Sequence, residues 1–233
     1  SHLPLDVNDH SEETQLIGFE KILGKDIIGQ DDAVSAVARG VRHARLGLTD
    51  ANRPRASFLF VGPSGTGKTT LLHLLGGILS PASGEITIGG TALHLLRGHS
   101  LDSFRGRHIG IIFQKPHFIR SLTAIENLLL AQSLSGNKSD QSRALSLMDR
   151  LAIGRNAYKK TTAMSIGEQQ RLAIARALIN SPAVILADEP SSALDDQNCR
   201  QMIDLLLEVA TENNANLIVV THDSRIKNSI DKK

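Results

Sequence analysis

A short glycine-rich segment carries the clearest chemical signal in this chain. Residues 62–69 read GPSGTGKT and match the pattern G-x-x-x-x-G-K-[ST] at every position. An apolar run at 57–61 precedes the segment and a helical pattern follows it, which is the context in which this motif binds phosphate. The pattern predicts a site for ATP or ADP; the alternative is a glycine-rich turn without a ligand. The residues predicted to form the site are Gly62, Pro63, Ser64, Gly65, Thr66, Gly67, Lys68, Thr69 and Thr70.

The residue types of this segment each have a physical reason. Glycines let backbone N–H groups surround a phosphate, and the start of the following helix adds its positive end. Lys68 is expected to reach the β- and γ-phosphates, and the Thr69 hydroxyl is expected to lie on Mg²⁺. The segment therefore predicts Mg²⁺ as a second ligand.

Two adjacent acids follow a second apolar run, at residues 184–187. Asp188 is in the position of a carboxylate that holds Mg²⁺ beside a phosphate-binding loop. Glu189, one residue later, is a candidate general base or water-orienting group. The alternative is an ordinary strand followed by an acid that caps a helix.

The composition excludes several classes of protein. Apolar residues make up 41% of 233 residues and the formal net charge is +2, so a packed core is expected and a nucleic-acid surface is not. Aromatic residues are only 3%, which disfavours base stacking. The single cysteine, Cys199, allows no intramolecular disulfide, and no apolar run is long enough for a membrane span. We expect a cytoplasmic globular protein that binds no nucleic acid.

The elements that must position these residues alternate between strands and helices. Strands are predicted at 57–61, 85–88, 109–113, 183–187 and 216–221, and helices at 31–48, 69–79, 143–151, 168–179 and 197–212. Thr123 with Glu126, and Ser165 with Glu168, match capping boxes. The pattern predicts an α/β fold of the P-loop NTPase class, with a mostly parallel sheet, helices on both faces and an inserted α-helical subdomain.

Residues from about 69 to 230 resemble the nucleotide-binding domain of an ABC transporter, of the bacterial lipoprotein-release and macrolide-exporter type. Beyond the P-loop, the resemblance rests on segments in the family's order: 83–86 (SGEI), 109–114 (IGIIFQ), 164–171 (MSIGEQQR, similar to LSGGEQQR), 188–195 (DEPSSALD) and 221–223 (THD).

The resemblance implies roles for further residues. Gln114 would coordinate Mg²⁺ and contact the attacking water, and His222 would contact the γ-phosphate. Ser165 and Gly167 would bind the γ-phosphate held by a second subunit. For each of these residues a plain structural role is the alternative: a surface amide for Gln114, a strand-end histidine for His222 and a helix cap for Ser165. Ile166 departs from the family's glycine, and its β-branched side chain is expected to crowd the phosphate of the partner.

The front of the chain resembles a different family. Residues 27–34 (IIGQDDAV) and 52–60 (NRPRASFLF) are similar to the start of the second AAA+ module of Clp-type disaggregases and unfoldases. This resemblance implies that Ile27 and Ile28 line an adenine pocket, and it suggests a chimera whose parts join within the P-loop. The start Ser1-His2, which looks like the remnant of a cleaved tag, favours an engineered fusion.

The predicted organisation is an AAA+-like segment at 1–57, an NTPase core at 58–114 and 172–233, and an ABC-type helical subdomain at 115–171. The main hypothesis is an ATP-binding hybrid with slow or absent ATP hydrolysis, in which Glu189, His222 and Gln114 are catalytic and Thr69, Gln114 and Asp188 hold Mg²⁺. The alternatives are a non-enzymatic nucleotide-binding chimera, and the ATPase subunit of an ABC transporter that docks on a transmembrane permease at the inner membrane. A weak ATP-dependent homodimer is expected.

Overall fold

A computed structural model of the chain describes residue 35 and residues 57–63, 65–192 and 194–223. The helix predicted at 31–48, nearly all of the AAA+-like segment, and the site residues Ile27, Ile28 and Ser64 lie outside these residues. The elements, in chain order, are β1 (Ser57–Val61), α1 (Lys68–Leu75), β2 (Thr87–Ile88), β3 (Thr91–Ala92), α2 (His99–His108), β4 (Ile109–Ile112), α3 (Ala124–Leu134), α4 (Gln141–Arg150), α5 (Ile166–Leu178), β5 (Val184–Asp188), α6 (Asp196–Glu212) and β6 (Asn216–Thr221). Short 3₁₀ turns lie at Leu93–Leu95, Gly154–Asn156 and Thr161–Ala163.

The main sheet has the strand order β1-β6-β5-β4, and all three pairings are parallel. Strand β6, the last strand among the described residues, thus lies between β1 and β5. In the register, Val61 is opposite Thr221 and Ala187 is opposite Val219. The carboxyl ends of β1, β6 and β5 therefore lie side by side at one edge of the sheet.

Apolar side chains cover both faces of this sheet. Leu186 packs with Leu72 of α1 and with Val220 in one buried cluster. Its neighbours Ile185 and Ala187 belong to the other cluster, together with residues of α5 and α6. Successive strand residues point to opposite faces, so a continuous apolar run fills both cores. The predicted P-loop NTPase fold, with a parallel sheet covered on both faces, is confirmed.

Three helices stand between β4 and β5 and share the larger core. The two predicted capping boxes form at the starts of α3 and α5. The Thr123 and Ser165 hydroxyls accept from the backbone N–H groups of Glu126 and Glu168, and the carboxylates of these glutamates accept from the backbone N–H groups of Thr123 and Ser165. Buried side chains of these helices and their connections include Leu128, Met148, Leu151, Ile153 and Leu172. The boundaries 115 and 171 of a helical subdomain stay a prediction.

Three elements differ from the sequence-based expectation. The helix predicted to extend to residue 79 ends at Leu75, because Gly76 caps it and Gly77 adopts φ +63°. The strand predicted at 85–88 is reduced to β2, which pairs with β3 across Gly89 and Gly90, both at positive φ as a tight hairpin turn requires. Helix α2 was not predicted. Within the described residues, no helix has the length and hydropathy needed to cross a membrane.

Candidate active site

The predicted site residues gather at the carboxyl edge of the main sheet. The glycine-rich loop leaves β1, Asp188 ends β5 and Thr221 ends β6. These three strands are neighbours, although the residues are far apart in the sequence. Loops at this edge are where open parallel α/β sheets bind their ligands.

The backbone of the glycine-rich loop adopts a conformation that other residues rarely reach. Gly65 has φ +83° and Gly67 has φ +81°. Gly67 is also the N-cap of α1, where no side chain caps the helix and no acidic residue stands in the first turn. The first N–H groups of α1 therefore have no side-chain acceptor at the cap and favour an anion.

Lys68 stabilises the glycine-rich loop through hydrogen bonds to residues of the loop itself. Its ammonium group donates to the carbonyl oxygens of Gly62 and Pro63, each at 2.7 Å, and to Thr66 Oγ1 at 3.1 Å. The Thr66 hydroxyl in turn donates to the Pro63 carbonyl at 3.0 Å. The positive charge is thereby held at the mouth of the loop, in position to meet phosphate oxygens.

Thr69 and Asp188 bring together two oxygen atoms suited to a hard cation. The Thr69 hydroxyl donates to Asp188 Oδ1 at 3.2 Å, across 119 residues of sequence. Asp188 is only 7% exposed. Burial raises the pKa of Asp188, the neighbouring Glu189 raises it further, and the Thr69 hydrogen bond lowers it. Hydroxyl and carboxylate oxygens are ligands that Mg²⁺ prefers, so this pair fits the predicted ion.

Glu189 is bound on both of its carboxylate oxygens. Oε2 accepts from the Thr221 hydroxyl at 2.8 Å, and Oε1 accepts from the His222 backbone N–H at 2.8 Å. His222 Nδ1 lies 2.7 Å from the same Oε1. A carboxylate can only accept, so Nδ1 of the ring carries a proton and donates it to Glu189. To donate from Nε2 as well, the ring would need a second proton. The backbone of Glu189 has φ +48°, a left-handed conformation that directs its side chain towards the end of β6.

Three other predicted residues are placed apart from this group. Gln114 is exposed, two residues beyond β4, and among the described residues its amide has no hydrogen bond to Thr69 or Asp188. Ser165 and Gly167 stand at the start of α5, and the hydrogen bonds of the Ser165 side chain go to Glu168 of the same turn. A Cβ atom added to Gly167 would meet nothing within 4 Å, so this turn has an open approach.

The Glu168 carboxylate strengthens the start of α5. Its Oε2 accepts from the Ser165 backbone N–H at 2.8 Å, and Arg155 lies 3.3 Å from its other oxygen. The backbone hydrogen bond from Ser165 is the largest of the contacts that lower the pKa of Glu168 to about 2. The helix start therefore carries a fixed negative charge beside the Ser165 hydroxyl.

Sequence reasoning did not find the role of Thr221. Its buried hydroxyl contacts Glu189, but the sequence shows only a threonine at the end of an apolar run. The one available signal is its position immediately before His222, at the end of a strand that finishes beside Asp188.

A comparison with known protein families identifies the family of this chain. A family model described as "ABC transporter" matches residues 53–192, more than half of the chain. The chain belongs to the ABC transporter family. Its resemblance to an ABC nucleotide-binding domain is therefore confirmed, and the P-loop, the Asp188 strand and the start of α5 all lie inside the match.

Two similar curated proteins carry the same name. The ABC protein is 40% identical over 174 residues to the lipoprotein-releasing system ATP-binding protein LolD of Bacteroides fragilis, covering 74% of this chain and 81% of that protein. It is 37% identical over 174 residues to LolD of Legionella pneumophila, covering 74% of this chain and 77% of the relative.

Solved ABC structures share the fold. The ATP-binding cassette MJ0796, in a dimeric post-hydrolysis state bound to ADP and Pi, matches with a TM-score of 0.68 and 33% identity, over 77% of this chain and 79% of that one. The cassette cbiO1 of Clostridium perfringens, part of the transporter complex cbiONQ, matches with a TM-score of 0.63 and 29% identity, over 72% and 67%.

These comparisons give no evidence for a chimera or for a Clp-type AAA+ module. The ABC match begins at residue 53, ahead of the P-loop in which the join was expected. The finding favours the transporter subunit, which the sequence offered as an alternative, over the hybrid as the main interpretation.

Proposed function

We propose that the chain is the ATP-hydrolysing subunit of an ABC transporter of the lipoprotein-releasing type. The observation that carries the proposal is the single cluster at the sheet edge, where Thr69 meets Asp188 at 3.2 Å and Glu189 meets His222 at 2.7 Å. The names of the LolD relatives support the transporter class. Supporting evidence for nucleotide binding is the ADP and Pi bound by the cassette MJ0796.

Binding of ATP follows from the loop and the start of α1. Backbone N–H groups of residues 65–69 surround the phosphates, and Lys68 turns its ammonium group from the loop carbonyls towards the β- and γ-phosphates. Thr69 and Asp188 would hold Mg²⁺, and Gln114, two residues beyond β4, would supply a further oxygen ligand. When bound, the ion neutralises the charge of the phosphate groups.

Hydrolysis requires a positioned water and little covalent chemistry from the protein. Glu189 orients a water molecule for attack on the γ-phosphorus and accepts its proton. The bond between the γ-phosphorus and the bridging oxygen breaks, and ADP leaves with that oxygen. His222 donates to the γ-phosphate, and its imidazole is exposed enough to turn there, with 51% of its side chain accessible.

A second copy of the chain completes the site. The turn at Gly167 is open to the γ-phosphate held on the partner's loop, and the Ser165 hydroxyl binds that phosphate by turning its proton away from the Glu168 carboxylate. Ile166 stands between them with 66% of its surface exposed, so its side chain faces the approaching partner. We expect the ATP-dependent dimer to be weak.

The remaining partner is a transmembrane permease. The proposed docking surface is formed by residues 116–163. A subunit of this type works in the cytoplasm, peripheral to the inner membrane, and its LolD relatives support this location. Exposed apolar side chains in this segment include Ile119 and Tyr158, at 48% and 69%. Exposed apolar groups rimmed by polar residues are typical of such contacts.

Phosphate release from Mg-ATP by the purified protein, alone and with a lipoprotein-releasing permease in detergent, tests the proposal. We expect turnover that the permease stimulates and that Glu189→Gln abolishes. Glu208→Gln is the matched control, because Glu208 is an exposed glutamate whose partner is Arg150 on α4. Nucleotide binding without turnover in the presence of the permease would favour the non-enzymatic alternative. Turnover that survives Glu189→Gln would refute the catalytic assignment.

A further inference from the structure

Thr221 contacts two separate parts of the candidate site, the glycine-rich loop and Glu189. It is the last residue of β6 and is fully buried. Its carbonyl oxygen accepts from the N–H of Gly62, the first residue of the phosphate loop, at 3.2 Å. Its hydroxyl donates to Glu189 Oε2 at 2.8 Å. One residue thus contacts both the glycine-rich loop and the Glu189 carboxylate.

The direction of the Thr221 hydroxyl is fixed by a third contact. The backbone N–H of Asp223 donates to Thr221 Oγ1 at 3.0 Å. A hydroxyl has one proton to give, and the amide of Asp223 occupies a lone pair of the oxygen. The remaining proton is therefore directed at Glu189, which as a carboxylate can only accept it. Hydrogen bonds to an ionised group are the stronger kind.

The two residues that hold Glu189 differ in their freedom to move. His222 holds Oε1 with a ring whose side chain is 51% exposed, whereas Thr221 holds Oε2 from a position with no exposed surface. When the His222 ring turns to a bound phosphate, its ring contact with Glu189 is lost. The Thr221 contact lies within the sheet and remains.

We infer that Thr221 is a positioning residue for hydrolysis, which holds the Glu189 carboxylate at a set place relative to the phosphate loop. This rests on the proposed function only in taking Glu189 as the residue that orients water. Thr221 is fully buried and acts through Glu189, so it is not itself a catalytic residue. Its removal leaves the carboxylate held only at Oε1, by the His222 backbone N–H, so Oε2 can swing away from its place. Displacement of a positioning group by about 1 Å costs on the order of a hundredfold in rate.

Steady-state ATP hydrolysis by Thr221→Val tests the inference. Valine keeps the β-branched shape and replaces the hydroxyl with a methyl group, which can neither donate nor accept a hydrogen bond. We expect kcat to fall roughly ten- to a hundredfold, while KM and the dissociation constant for Mg-ATP stay within about twofold, because the backbone contact to Gly62 is kept. Thr221→Ser, which restores the hydroxyl, should recover most of kcat. A kcat for Thr221→Val equal to that of the wild type would overturn the inference.

Thr211→Val is the matched control. The Thr211 hydroxyl donates to the Leu207 carbonyl within α6, remote from the sheet edge, so its loss should leave kcat unchanged. If Thr221→Val does not fold, the turnover of Thr221→Ala can be compared with that of Thr221→Ser. These two variants differ only in the presence of the hydroxyl. Equal turnover by these two variants would refute the role.

A double-mutant cycle on thermal unfolding separates this inference from the proposed function. Thr221→Val and Glu189→Ala should have effects that do not add, because each change removes one partner of the hydrogen bond that the two side chains share. A wild-type protein without ATPase activity would refute the proposed function and leave the cycle to test the contact. Additive effects in the cycle would refute the contact whatever the activity.

Discussion

Replacing Lys68 with alanine should weaken nucleotide binding more than any other single change in the loop. The ammonium group of Lys68 is held at the mouth of the loop by two carbonyl oxygens at 2.7 Å and by Thr66 Oγ1 at 3.1 Å. No rearrangement of the helix is needed for it to meet a phosphate. Lys68→Ala removes the charge and its internal contacts together.

The size of the effect follows from the type of contact that is lost. A hydrogen bond to a charged group contributes about 1.5–3 kcal/mol. Each 1.4 kcal/mol is tenfold in the dissociation constant, so we expect Mg-ATP binding to weaken roughly 10- to 150-fold. The loss should be smaller for ADP, because only ATP offers a γ-phosphate to the ammonium group.

Calorimetric titration of each variant with Mg-ATP and Mg-ADP measures both quantities. Lys138→Ala is the control, since Lys138 is an exposed lysine in the connection between α3 and α4. Lys68→Met keeps the apolar stem and should bind as weakly as Lys68→Ala. Equal affinity of wild type and Lys68→Ala would show that the loop does not bind phosphate in the way described.

Three further changes have defined outcomes. The pKa of Glu168 is lowered from 4.5 to about 2, chiefly by the hydrogen bond from the Ser165 backbone. The stabilising contribution of this carboxylate is therefore present above pH 4.5 and is lost as the pH falls towards 2. The thermal unfolding temperature of Glu168→Gln should depend less on pH in this window than that of the wild type. Ile166→Gly should strengthen the Mg-ATP dimer of a hydrolysis-deficient variant, as measured by light scattering, and an unchanged dimer would show that the isoleucine fits the interface. Gly110→Ala should lower the unfolding temperature, because its Cβ would lie 2.5 Å from a backbone oxygen of α5, whereas Gly167→Ala, with nothing within 4 Å, should not.

Local chemistry explains which elements could be predicted from the sequence. The capping boxes at Thr123 and Ser165 are reciprocal contacts between residues three apart, so the sequence contains all of their parts. Strands β5 and β6 are continuous apolar runs, typical of buried parallel strands. Helix α2 was missed because its N-cap, Gly98, provides no side-chain cap and none of its residues is buried.

The arrangement of the site depended on strand order, which the sequence does not contain. The loop, Asp188 and His222 could each be identified from their neighbours along the chain. That β6 lies between β1 and β5 is a property of the sheet. Without it, the contact between Thr221 and Glu189, 32 residues apart, could not be derived.

The position of β6 has a consequence for how the chain is made. During translation, β1 leaves the ribosome first and β6 last of the described strands, although the two are hydrogen-bonded neighbours along Ser57–Val61. A nascent chain that ends before Asn216 lacks β6. It therefore lacks the parallel strand that pairs with both β1 and β5. Closing such a long loop is slow, and the exposed strands are open to wrong pairing until it happens. The contacts of Thr221 with Gly62 and Glu189, and with them the complete nucleotide site, can form only after synthesis has passed Thr221.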